Sequence, residues 1–201
     1  MRVLAVGGAG TIGRRLVPAL RSRGHEVVVA GRESGDVHVD LASPGTVEDM
    51  YHAVGAVDGV VSIAAHGALD EFGSLTSAEL RENMRAKFFG QVDLVLAGQR
   101  HCADGASFTL TSGIFADEAW PGVTGGAVIN AALHGFVLSA AVELPRGMRI
   151  NAVSPTMIGD SVAVFVDHFP GMRPVPMDEL IGHYLHCVEG GDTGHIIRAY
   201  G

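Results

Sequence analysis

The chain has 201 residues, 47% hydrophobic and 18% charged, a composition that suits one globular domain and excludes a disordered one. The formal net charge of −8 argues against a nucleic-acid groove, which needs a basic face. No apolar run approaches the ~20 residues that span a membrane, the run from Val3 to Val6 is too short for a signal core, and the two cysteines, Cys102 and Cys187, have no metal-type spacing. A cytoplasmic protein in a reducing compartment is expected.

Residues 2–6 read as a strand and 11–23 as a helix, with Ile12, Leu16 and Leu20 on one face and Gly24 at the end. Strands follow at 26–30 and 36–39, and a helix at 46–54. A buried strand covers 58–64, a long helix 77–97, a fifth strand 107–111 and a second long helix 126–143. A sixth strand spans 148–153, a helix 178–189 and a last strand 195–199. Alternation of apolar strands with helices implies an α/β fold: a Rossmann-like, doubly wound parallel sheet of about seven strands in three layers, one domain over residues 1–201. Pro170, Pro174 and Pro176 interrupt residues 159–176, which makes that segment the candidate substrate loop.

The first turn carries Gly7, Gly10, Thr11, Ile12 and Gly13, with the glycines three apart between a strand and a helix. Such a loop turns tightly, lets the backbone approach a pyrophosphate, and aims a helix N-terminus at it. Arg32 follows the second strand, where an acid would hold the ribose of NAD. A guanidinium there suits a 2′-phosphate, so the expected cofactor is NADP(H), with Arg14 as a possible second contact. The two long helices carry apolar residues on more than one face, such as Ala131, Ala132, Leu138 and Ala141. This predicts a homodimer or homotetramer. Ten histidines are many, but none shows the spacing of a metal site with a third ligand, so no metal is expected.

With these residues in view, the chain resembles the short-chain dehydrogenase/reductase family along nearly its whole length. Asp40-Leu41 resembles the family's acid beside the adenine, and the strand ending at Ala64 resembles the one ending Asn-Ala-Gly, although Ile63 and Ala65 replace its Asn and Gly. Ser112 falls at the catalytic serine, the stretch from Arg149 to Pro155 resembles the strand beside the nicotinamide, and Thr193-Gly194 resembles the opening of the last strand. The resemblance implies a tyrosine and, four residues later, a lysine; Gly126 and Asn130 stand at those positions instead. Lys87, the one lysine of the chain, takes the place of the family's structural asparagine. Ser112, Lys87, Asn130 and His66, which follows the fourth strand, are the candidate catalytic residues. His134, one turn beyond Asn130, reads as packing or interface.

Three functions stay open on this reading. The first is an NADP(H)-dependent oxidoreductase acting on a small carbonyl or alcohol with a non-standard acid/base. The second is a non-redox lyase, isomerase or cyclase reusing the pocket, and the third a non-catalytic dinucleotide sensor.

Overall fold

A computed structural model describes residues 1–64, 70–158 and 168–201. Seven strands form one parallel sheet in the order β3-β2-β1-β4-β5-β6-β7. They are β1 (Arg2–Val6), β2 (Glu26–Gly31), β3 (Val37–His38), β4 (Gly59–Ser62), β5 (Ser107–Thr111), β6 (Arg149–Pro155) and β7 (Ile196–Ala199). Helices α1 (Gly13–Ser22) and α6 (Met177–Glu189) cover one face; α2 (Pro44–Val54), α4 (Gly90–His101) and α5 (Thr124–Ala140) cover the other. This is the expected three-layer Rossmann-like fold. Both faces of the sheet are packed, and β4 and β5 are buried at every position, which is why they read as continuous apolar runs. Strand order reverses at β1, between β2 and β4, and a crevice opens at the carboxyl ends of the strands there. No helix among the described residues is long and apolar enough to cross a membrane.

The helix expected at residues 77–97 departs from expectation. It forms as α3 (Ser77–Met84), a wider π-type turn over Arg85–Phe89, and then α4. The cause is tertiary. Gly90 lies so close to the α2-side loop that a Cβ would sit 2.5 Å from Leu41 Cβ. The wholly buried Gln91 donates from Nε2 to Lys87 O (2.7 Å) and Thr111 O (3.0 Å), and its Oε1 accepts from Thr111 N (2.9 Å). The side chain thus caps the carbonyl that the widened turn frees and joins it to the end of β5. Among the described residues, Phe89, Leu96, Val128 and Leu138 leave apolar side chains exposed on this face.

Close packing of α4 on the sheet generates a paired test. A Cβ at Gly98 would lie 2.5 Å from the fully buried Phe108 ring and 2.7 Å from Tyr51 Oη, whereas exposed Gly182 in α6 has nothing within 4 Å. Gly98→Ala is expected to destabilise by ~1–3 kcal/mol through overpacking, outweighing the helical preference for Ala. Gly182→Ala should stabilise by ~0.5–1 kcal/mol. Urea unfolding of the two variants against wild type checks both signs.

Candidate functional site

The crevice is a cavity of about 630 Å³. Its floor is the glycine loop. Gly7 has φ +88° and passes β4 so closely that a Cβ would sit 2.6 Å from Ala64 N. A Cβ at Gly13 would meet Gly8 O at 2.4 Å, so the third glycine lets α1 pack on the loop. Gly10 has only Gly7 O within reach of an added Cβ, at 3.3 Å, and it lines the cavity with Gly7, Thr11 and Ile12. Helix α1 opens without a side-chain cap and without an acid in its first turn. Its backbone donors and positive dipole end therefore serve an anion. This cradle fits a dinucleotide pyrophosphate.

Gly31, Arg32 and Ser34 line the rim beyond β2. The Arg32 side chain is 69% exposed, and it makes a long 3.4 Å ion pair with Glu33. Arg14 turns away and donates to Ala9 O at 2.8 Å, bracing the loop. Asp40 does not line the cavity; its Oδ1 accepts from Ala42 N at 3.0 Å and holds the turn before α2. Ala64 and Pro155 do line it.

The opposite half holds Lys87, Ser112 and Asn130. Lys87 is 6% exposed, delivered inward by the π-type turn, and no hydrogen bond or ion pair to its ammonium exists among the described residues. Burial pulls its pKa from 10.5 to about 8. Ser112 follows β5, and its Oγ shares a 2.8 Å hydrogen bond with His134 Nε2, the tautomer setting the direction. His134 is thus bound to a site serine, a role its spacing in the sequence did not show. Burial lowers its pKa, against an opposing pull from Asp117. Asn130 Oδ1 is buried without a hydrogen-bond partner among the described residues. A ribose hydroxyl, which donates and accepts, suits that orphaned amide. His66 lies outside the described residues.

The outer wall is apolar: Ile114, Phe115, Met157, Phe169 and Met172. Phe169 packs against Phe115 (centroids 5.1 Å) and edge-on to Trp120 (5.7 Å). They come from two connections, β5 to α5 and β6 to α6; Phe169 and Met172 lie within the segment 159–176 named from sequence as the substrate loop, whereas Ile114, Phe115 and Met157 carried no signal of their own. Spacing in the sequence was compared only between histidines, whereas the fold brings three donor groups together. Glu48 and His52 share a face of α2, and His101 at the end of α4 brings a third donor, all ligand atoms lying within 4.8 Å of one another. Spacing between histidines alone missed a set that begins with a carboxylate and ends on another helix.

A family model described as enoyl-(acyl carrier protein) reductase matches residues 7–178. The protein lin1944 from Listeria innocua is 36% identical, with a TM-score of 0.96 over 100% of both chains. The chain belongs to the short-chain dehydrogenase/reductase family. Another structure, a small-chain dehydrogenase in complex with NADPH, is 25% identical over 98% of this chain and 95% of its own, with a TM-score of 0.86. BdcA, in complex with NADPH, shares the fold at 20% identity and a TM-score of 0.86, over 100% of this chain and 94% of that one. No curated protein sequence matches the chain. Gly126 and Asn130, the two positions at which the resemblance implied a tyrosine and a lysine, both line the cavity.

A buried ammonium without a partner costs stability. With a folded pKa of about 8 against an ordinary 10.5, the native state binds fewer protons between those values than the unfolded chain does. The penalty is therefore full below pH 8 and vanishes as pH rises toward 10.5. Lys87→Met is expected to raise stability at pH 7 by on the order of 2–3 kcal/mol, with the gain fading above about pH 10. Denaturant melts of both proteins at pH 7 and pH 10 check this.

Proposed function

We propose that the protein is an NADP(H)-dependent oxidoreductase acting on a small carbonyl or alcohol, with Lys87 in place of the missing tyrosine as proton donor and acceptor. The observation that carries this reading is the Lys87 ammonium: buried, unpaired among the described residues, and opening on the same cavity as Ser112 and Asn130. NADPH-bound relatives and the glycine cradle support the cofactor. Gly7, Gly10, Thr11, Ile12 and Gly13 would hold its pyrophosphate, Arg32 its 2′-phosphate, Asn130 its ribose, and Ala64 and Pro155 flank it. When bound, the nicotinamide supplies or takes the hydride.

The chain's own residues do the remaining work. Ser112, steadied by His134, donates a hydrogen bond to the substrate oxygen. Lys87 places positive charge where that oxygen becomes an alkoxide, in a site screened from water by burial. It then gives up its proton to the oxygen; in alcohol oxidation the neutral amine takes the proton back. A pKa of about 8 sits close to working pH, as an acid/base needs. Phe115, Phe169 and Met172 offer an apolar wall to the substrate's hydrocarbon part. The exposed Phe89, Leu96, Val128 and Leu138 support assembly as a homodimer or homotetramer.

NADPH binding followed by fluorescence, then NADPH oxidation over a panel of small aldehydes and ketones, tests the proposal. Binding with no turnover on any of them would leave a non-catalytic dinucleotide module; no binding would remove the cofactor. Arg32→Ala should weaken NADPH about tenfold, near the ~1.4 kcal/mol that one exposed phosphate contact supplies, and leave NADH unchanged. Equal loss for both cofactors would take the 2′-phosphate away from Arg32.

The pH dependence follows from the lysine. Carbonyl reduction should fall as pH rises through about 8, because the donor loses its proton, and alcohol oxidation should rise over the same range. In Lys87→Met both profiles should lose this limb and turnover should drop ~10²-fold or more. A wild-type profile flat from pH 6 to pH 10 would take Lys87 out of the proton transfer.

A further inference from the structure

Away from the cavity, three side chains on the other side of the α2–α4 contact converge. Glu48 and His52 are four residues apart on α2 and so lie on one face. His101 closes α4 against them. Its Nε2 is 3.0 Å from Glu48 Oε2, and the His52 and His101 rings meet edge to face with centroids 4.9 Å apart. All three ligand atoms lie within 4.8 Å of one another, the sole such group found among the described residues. The His101 ring is held in place: Tyr51 stacks on it with planes 3° apart, and buried Tyr51 is itself anchored by donating from Oη to Leu94 O at 2.7 Å.

We propose that Glu48, His52 and His101 form a binding site for a divalent transition-metal ion of the zinc class, clipping α2 to the end of α4. Two imidazoles and one carboxylate are the donors that zinc prefers, whereas calcium and magnesium require mostly oxygen ligands. Ligand atoms ~2.1 Å from a tetrahedral ion lie ~3.4 Å apart. The Glu48–His101 pair is already closer than that, at 3.0 Å, and exposed His52 has room to turn inward. Arg100 also pairs with Glu48, but its guanidinium is more than half exposed and can swing into solvent when an ion takes the carboxylate. Three protein ligands leave a fourth position for water or for a donor from another molecule. None of the three lines the cofactor cavity, so the site is independent of the proposed chemistry.

The test is calorimetric titration of metal-stripped, full-length protein with zinc chloride, alongside magnesium chloride. The expected result is one zinc ion per chain with Kd in the ~micromolar range or tighter, no heat from magnesium, and a rise in melting temperature on zinc addition. His52→Ala, at an exposed position where the fold is expected to survive, to be checked by circular dichroism, should weaken zinc at least tenfold, and Glu48→Gln likewise. Zinc binding unchanged in both variants would place the ion elsewhere, for example on the exposed His183–Glu179 pair, and would overturn the assignment. Absence of saturation below ~100 μM, a Kd too weak for a built site, would overturn it too.

Discussion

The side-chain amide of Gln91, wholly buried, makes three hydrogen bonds that join the start of α4 to the end of β5. Those bonds join the π-type turn at Arg85–Phe89 to the sheet, and from that turn the buried Lys87 lines the cavity. The same amide fixes Thr111, the residue before Ser112. Thr111 Oγ1 continues inward to Ser62 O at 2.6 Å and to Tyr184 Oη at 2.7 Å. A chain of buried polar contacts thus runs from β4 through β5 to the cavity, and loss of Gln91 would leave Lys87 O and the Thr111 N–H and C=O without its side-chain bonds. In a low-dielectric interior such a network must be complete or it is costly.

Lys87 and Ser112 face opposite electrostatic situations within this frame. Ser112 is satisfied from behind by His134, whose ring burial biases toward the neutral form. Lys87 has no such partner among the described residues and keeps a charge in a half-dry pocket at the expense of stability. That arrangement makes sense where the missing partner is a substrate oxygen or a cofactor phosphate or hydroxyl. The scaffold tolerates the cost because both faces of the sheet bury large apolar clusters built on Leu4, Phe108, Leu133 and Ile150 on one side and Leu16, Leu20, Leu180 and Tyr184 on the other.

Much of this was written in local pattern. Strand periodicity, the glycine spacing and the Arg32 signal depend on neighbours in sequence, and each element found by pattern lies within a few residues of its observed bounds. The glycines were legible because backbone geometry leaves no other residue at Gly7 and Gly13. The absent tyrosine–lysine pair was legible for the same reason: it is a fixed spacing on one helix. His134 was not, because its partner is Ser112, 22 residues away, and only the packing of α5 beside β5 brings them together. The Glu48–His52–His101 set was hidden likewise by the 48 residues between its second and third members.

The amino-acid sequence by itself determined the alternation of strands and helices, the phosphate-binding turn, and the identity of the one lysine. Those features follow from propensity, period and the steric limits of single residues, which act over a turn or a strand. Only the tertiary structure decided that Lys87 comes from a π-type turn, which histidine holds Ser112, and that Asp40 Oδ1 accepts from Ala42 N in the turn before α2. These outcomes rest on competition among distant groups for buried hydrogen bonds and space. Such competition is settled only when the sheet, the π-type turn and helix α5 are packed together.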